Sequence, residues 1–403
     1  MFLSALFIIP AAIISSFNNK NSFFKDKYNL AFFTCGILIL LSSILQIFIN
    51  TNQYQSLLDP FDSFTSIMNF LPFFWIYASL QPYLNSKRKR KIFIKVAIAG
   101  TFPLLITGFG QYFFNWHGPL EIFNGLIIWF QKPIRNNDGL SGLFSNQNYA
   151  GSWLNFVWPF CIALILEKTA NLFRKNISFA FLISIGFAIF LTNSRNALAG
   201  LLITLPIVIG QTSLTWIIPI LITILITSIF LFSPIFSNNL QDFFLNLIPL
   251  GIIENINQIS KMTDFKYIVG SRLHMFINAF HYINTAPIIG LGGNAFSTIY
   301  LSQYGLYRGH SHNIISDVAL SYGLPVSFLL TITISLLIIR SGRVIFSSHK
   351  ISDENNTYEK AIWASVLFFL FSQMFDIQYY DGRISIFAWT LLSSLRSMID
   401  EKN

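Results

Sequence analysis

The chain has 403 residues, of which 53% are hydrophobic, 17% aromatic and 11% charged, with a mean hydropathy of +0.57 and a net charge of +9. Soluble domains carry about 25% charged residues, so this deficit excludes a water-soluble globular protein and points to a bilayer. The basic residues sit in short loops between apolar runs, which is the positive-inside pattern of a membrane protein and excludes nucleic acid as a partner.

Residues 1–17 are apolar like a signal sequence but lack a basic start and a small-x-small cleavage site, so an uncleaved first span is expected. Runs long enough to cross roughly 30 Å of hydrocarbon follow at about 29–50, 63–83, 92–115, 148–166, 176–193, 196–211 and 213–233. After a long break come three more, at about 313–340, 358–377 and 384–398. The expected fold is an all-α integral membrane protein of about eleven (10–12) transmembrane helices. Cys35 and Cys161 both lie inside apolar runs and read as packed thiols, not as a disulfide framework.

Loop charge orients the spans. Lys20, Lys25 and Lys27 fill the first loop, Lys87 to Lys91 the third, Lys168, Arg174 and Lys175 the fifth, and Arg340, Arg343 and Lys350 follow the ninth span. In an eleven-span count all of these fall on one side, which makes that side cytoplasmic. The N-terminus is then periplasmic and the C-terminus cytoplasmic. Two longer segments belong to the outer face, 116–147 and 234–312. The second is rich in Phe, Leu and Ile, and Leu273, Phe276, Ile277, Phe280 and Ile283 recur at helical intervals. It reads as a cap of short amphipathic helices lying on the membrane surface. No repeat interrupts 1–403, so a single polytopic domain is expected.

The outer face collects Arg135, Arg195, Arg272, Arg308, His310 and His312. Arg195 stands in Thr192-Asn193-Ser194-Arg195-Asn196, the break between two apolar runs. It is either an interfacial arginine that snorkels to headgroups or an anion site, because a guanidinium offers phosphate oxygens a bidentate fork. Arg272 starts the amphipathic stretch and is either a solvated face residue or a ligand. The segment Ala286 to Asn294 is Gly-rich but has no Lys-Ser/Thr ending, so it reads as a tight turn and not as a phosphate loop. His312 immediately precedes the ninth span, and Asn313 is placed to cap it. Asp317 lies one turn further, where an unpartnered carboxylate costs about 2.5–3.5 kcal/mol. A His312–Asp317 pair would orient the imidazole as a general base, or else close a structural hydrogen bond. His310-Ser311-His312 has the spacing of metal ligands but no third ligand nearby, so no metal site is expected.

These residues resemble a known family. His312-Asn313, nine residues, then Gly323-Leu-Pro-Val326 fits the signature His-[Asn/Ser/Gln]-x9-Gly-x-x-[Gly/Thr/Val] of the O-antigen ligase family, which includes related O-antigen polymerases and protein O-oligosaccharyltransferases. Gly139 to Asn148, Asn193-Ser194-Arg195, and Ser271-Arg272 running to Gly292 are similar to three further family blocks. The resemblance implies a metal-independent, cofactor-free, inverting glycosyltransferase of the bacterial inner membrane. Such enzymes take a glycan from undecaprenyl diphosphate at the periplasmic face and pass it to a hydroxyl of lipid A-core or another glycan or lipid acceptor. Carried over, Arg195 and Arg272, with Arg308 beside the motif, would bind the diphosphate and His312 would act as base. His310, Asn313, Arg135 and Asn148 would support them. Many members have Glu two residues before the motif glycine; here that position is Ser321, and Asp317 is the candidate substitute. A polymerase of the same family would use the same residues. A transporter would place polar groups near the bilayer midplane on repeated broken helices, a pattern this chain lacks.

Overall fold

The computed structural model describes residues 2–18, 23–48, 53–125, 127–135, 138–231, 269, 271–347 and 356–402. The first part of the expected cap, 234–268, and residue 270 lie outside the described residues. The helices are α1 (Phe2–Asn18), α2 (Lys27–Phe48), α3 (Pro60–Ile67), α4 (Leu71–Leu80), α5 (Lys87–Phe114), α6 (Gln147–Ile165), α7 (Leu172–Leu191), α8 (Arg195–Ile209) and α9 (Leu214–Leu231). They continue with α10 (Arg272–Thr285), α11 (Ala295–Tyr304), α12 (Ile314–Tyr322), α13 (Leu324–Phe346), α14 (Thr357–Ser372) and α15 (Gly382–Lys402). The all-helical expectation holds but for one small antiparallel hairpin, β1 (Leu120–Ile122) and β2 (Ile127–Trp129), which pairs Leu120 with Trp129.

Among the described residues four helices are long and apolar enough to cross a membrane: α2, α5, α7 and α13. Every expected apolar run has become helix, but two are broken. The third divides into α3 and α4, and the ninth into α12 and α13.

The chain forms two compact units: Met1–Arg90 with Met262–Ser348 and Leu370–Asn403, and Lys91–Lys261 with His349–Phe369. In the first, α2, α4 and α15 interlock through aromatic rings. Phe32 meets Tyr77 at 4.7 Å between centroids, and Phe74 meets Trp389 at 5.1 Å. Each edge-to-face pair adds about 0.5–1.5 kcal/mol beyond its burial. Helices α10 and α11 bury Met275, Ala279, Tyr282, Phe296 and Tyr300 against Ala319 and Leu320 of α12. The opposite face of α10 leaves Leu273, Phe276, Ile277 and Phe280 exposed.

The break between α12 and α13 is held by backbone packed on backbone. The turn Pro287–Gly293 runs against the end of α12, where Leu291 N donates to Leu320 O at 2.7 Å, Gly292 N to Ser321 O at 3.1 Å and Leu324 N to Pro287 O at 2.8 Å. Gln46 of α2 ties both sides together, its Nε2 donating to Ile289 O at 2.6 Å and Ser321 O at 2.9 Å. Contact this close demands glycine. Gly323 has φ +91°, and a Cβ there would fall into the Ile288 carbonyl; a Cβ on Gly290 (φ +71°) would stand 2.6 Å from Ser321. The Gly-rich turn is therefore more than a connector, and Gly323 is the glycine of the His312 motif.

In the second unit α6 packs on α7 and α8. A Cβ on Gly151 would lie 2.6 Å from Ala197, and Asn155 Nδ2 bridges the carbonyls of Gly151 and Ala197 at 3.0 Å each. Gln111, buried on α5, donates to Lys132 O at 2.7 Å and accepts from the Ser141 and Gly142 amides at 2.9 and 2.8 Å, fixing the loop that leads into α6.

Gly323→Ala should destabilise the protein by about 3 kcal/mol, combining a left-handed backbone with overpacking. Thermal unfolding in detergent should give Gly323→Ala a lower melting temperature than wild type or Gly100→Ala, where a Cβ meets nothing within 4 Å; a wild-type melting temperature for Gly323→Ala would refute the close-packing account.

Candidate active site

His312 lies in the short loop between α11 and α12. Its backbone is left-handed at φ +60°, an uncommon strain for a residue with a side chain and one that clusters at functional sites. Two neighbours hold it there. Asn313 caps α12, its side-chain oxygen accepting from Ile315 N at 3.0 Å and Ser316 N at 3.2 Å. Its amide nitrogen donates to Met374 O at 3.3 Å, and Ile314 N donates to Gln373 O at 3.0 Å. The loop is thus pinned to the segment that follows α14.

That segment supplies the partner the imidazole needs. His312 Nδ1 lies 2.8 Å from Asp376 Oδ1. The other carboxylate oxygen accepts from Gln378 Nε2 at 3.1 Å, and Gln378 is locked by Gln373, whose Nε2 donates to Gln378 Oε1 at 2.7 Å. Asp376, Gln373 and Gln378 are all buried, whereas the His312 side chain is 24% exposed. A carboxylate only accepts, so Nδ1 carries the proton and the second nitrogen, Nε2, presents a lone pair.

His310 stands beside it, with ring centroids 4.5 Å apart. Its Nδ1 accepts from the His312 amide at 3.2 Å, which leaves the proton on Nε2, 4.0 Å from Asp376 Oδ1. Burial holds the His310 imidazole below its ordinary pKa, and the neighbouring His312 pushes the same way against the pull of Asp317 and Asp376. For Asp376 burial acts to raise the pKa, but the hydrogen bond from His312 and the charges of His312, His310 and Arg272 outweigh it and hold the carboxyl below its ordinary value.

Asp317 does not pair with His312. It is buried in the first turn of α12, where Oδ1 accepts from Ser311 N at 3.0 Å and Ser311 Oγ at 3.1 Å, and Oδ2 accepts from Tyr380 OH. Four residues of spacing bring Asp317 to the loop, but capping by Asn313 turns its carboxylate toward the Ser311 side. The His-orienting group is Asp376 from the far end of the chain. The polar string Gln373-Met-Phe-Asp376-Ile-Gln378 at the end of the tenth expected span was its visible signal, since an eleven-span count puts that end on the same side as His312.

Arg272 is the first residue of α10, exposed, with Ser271 as cap, and its charge reaches both His310 and Asp376. Arg308 is exposed two residues before His310. Arg135, Asn148 and Arg195 belong to the second unit. There Arg195 is exposed at the start of α8, behind the Ser194 cap and the left-handed Asn193. Gly139 lies against the Thr192 backbone, and Leu140 N donates to Leu191 O at 2.8 Å, so two of the motif blocks pack on each other. Asn148 helps line a polar cavity of about 240 Å³ with Lys132, Asp138, Ser145 and Gln147; Arg135 is exposed nearby in sequence.

A larger cavity of about 910 Å³ in the first unit contains neither histidine. It is lined by Asp26, Trp75 and Arg396, where Arg396 is already paired with Asp26 and Asp400. The strained, hydrogen-bonded imidazole of His312 thus lies outside this larger cavity.

A sequence model of the family described as O-antigen ligase matches residues 178–331, a span that contains Arg195, Arg272, Arg308, His312 and Gly323. The match supports the O-antigen ligase and polymerase resemblance read from the motifs, and with it glycan transfer in a membrane setting. No curated protein matches the chain.

Asn313→Ala should cost about 1 kcal/mol of stability by removing the cap. Asn313→Ser, which keeps a capping oxygen, should recover most of it in the same thermal-unfolding measurement; equal losses would deny the capping role.

Proposed function

We propose that this protein transfers a glycan from a polyprenyl diphosphate, undecaprenyl diphosphate in a bacterial inner membrane, to a hydroxyl of lipid A-core or another glycan or lipid acceptor. The observation that carries the reading is the 2.8 Å bond from His312 Nδ1 to Asp376, which leaves Nε2 free to accept a proton. The family match over 178–331 supplies the substrate class.

In this reading the acceptor hydroxyl gives its proton to His312 Nε2 as its oxygen attacks the anomeric carbon. The bond from that carbon to the diphosphate oxygen breaks, and the lipid diphosphate departs with the bonding electrons. Asp376 stabilises the imidazolium that forms, as buried carboxylates do behind catalytic histidines. Negative charge grows on the leaving group, and the guanidinium groups of Arg272 and Arg308 in the same unit are the donors for it; the family resemblance assigns Arg195 the same task. Arginines in this role replace the divalent ion that other glycosyltransferases use, so transfer proceeds with chelator present. A single displacement inverts the anomeric centre. The eleven-span topology expected from the loop charges would put His312, the Asp376 loop and the arginines on the periplasmic side. The exposed strip Leu273, Phe276, Ile277 and Phe280 on α10 then rests on membrane lipid, as a surface helix does.

Purified full-length protein, given a polyprenyl-diphosphate oligosaccharide and a panel of acceptors in EDTA, should form a new glycosidic product. His312→Ala should lower its rate by about 10²–10⁴-fold, the usual contribution of a general base. Arg272→Ala and Arg195→Ala should each lower it by about 10²–10³-fold. Asp376→Asn should fall by at least about tenfold while Asp317→Asn acts mainly on stability. Near-wild-type transfer by His312→Ala would sink the base assignment. Products that lengthen as a ladder on the lipid-linked glycan itself would identify a polymerase.

A further inference from the structure

The spacing His310-Ser311-His312 lacks a third ligand along the sequence, but the fold supplies one. Asp376 Oδ1 stands 2.8 Å from His312 Nδ1 and 4.0 Å from a His310 ring nitrogen, and one donor atom from each of the three residues falls within 4.8 Å of the others. Ligands at about 2.0–2.2 Å around a tetrahedral ion lie roughly 3.3 Å apart, a separation that these distances bracket. We infer that His310, His312 and Asp376 form a binding site for a divalent transition ion of the zinc class, and that filling it switches the base off.

The chemistry selects the ion. Two imidazoles and one carboxylate suit Zn²⁺, Cu²⁺ or Ni²⁺, whereas Mg²⁺ and Ca²⁺ want more oxygen. Three protein ligands leave a fourth position for water, and the partly exposed side chains of His310 and His312 give the ion a way in. Asp376 is held in place by Gln378, as carboxylates of metal sites are. Coordination through His310 Nε2 gives up the single 3.2 Å bond that its Nδ1 accepts from the His312 amide. The charges facing the cluster are Arg272, which opposes a cation, and Asp317, which favours one.

Switching follows from proton position. In the metal-free cluster the His312 proton sits on Nδ1, and Nε2 holds the lone pair. An ion on Nδ1 displaces the proton there and uses the electron pair it leaves, so the ring's one proton moves to Nε2. No proton leaves the imidazole, yet the atom that would accept the acceptor's proton now carries one. Zinc at this site is therefore an inhibitor of the proposed transfer and not a participant in it, in keeping with activity in EDTA. The binding claim stands on the three ligands alone; the inhibition claim rests on the proposed function.

The test uses full-length protein stripped with EDTA and exchanged into chelator-free buffer. Zinc is titrated against a chromophoric chelator, and cobalt binding is followed by its visible d–d absorption. One ion per chain with micromolar affinity is expected, weakened at least tenfold in Asp376→Asn and, as a partly exposed substitution that spares folding, in His310→Ala. No saturable uptake at micromolar ion, or equal affinity in wild type and variants, would overturn the site without touching the transfer reaction. In the glycan-transfer assay, zinc should abolish product in step with occupancy and EDTA should restore it. Transfer that continues on the zinc-loaded protein would overturn the switch.

Discussion

A helix that stops inside an apolar environment releases amide and carbonyl groups that water cannot satisfy, and each must find another partner. The break between α12 and α13 at Gly323 places this demand on the whole first unit. Its released groups are met by the backbone of the Pro287–Gly293 turn and by Gln46, not by solvent. The result is a junction of main chain against main chain that only glycine at 290 and 323 permits. Because α12 is held at its C-terminal end by that junction and capped at its start by Asn313, the loop carrying His312 has little freedom left. The left-handed φ of His312 is the local strain that this over-determination sustains.

The polar groups of the site are organised as a chain of single-valued choices. Gln373 fixes Gln378, Gln378 occupies one oxygen of Asp376, and Asp376 offers the other to His312. Each link leaves its neighbour one role, so the tautomer of His312 is set by residues more than sixty positions away. Asp317 and Tyr380 complete a second pairing behind Ser311, which anchors the loop without reaching the imidazole. The same geometry that leaves the lone pair on Nε2 also gathers three metal-competent atoms, so the proposed base and the inferred metal site have a common origin.

Much of the architecture was legible in the composition. Apolar runs became helices within a few residues of their expected limits, and the Asn313 cap follows directly from its place before the run. The hairpin at 120–129 escaped notice because its strands are three residues each and too short for an alternating pattern to register. Hydropathy also passed over the interruptions at 68–70 and at Gly323, since a break of one to three residues barely alters the mean over a span. Arg195, Arg272 and Arg308 were visible as charge at the ends of apolar or amphipathic stretches, and all three are exposed, the first two at helix starts and Arg308 in the loop before α12.

The sequence by itself determined that the chain is a membrane protein of helices, and that His312 and Gly323 belong to one motif. Those properties depend on composition, on residue spacing and on helical period, which are local. The partner of His312 was decided only by the tertiary structure. Five residues of separation favoured Asp317, but the Asn313 cap and the left-handed His312 backbone turn the imidazole away from α12 and toward the segment after α14. Side-chain direction at a loop depends on which distant backbone it is pinned to, and sequence spacing carries no record of that. The third ligand of the histidine pair came into view for the same reason.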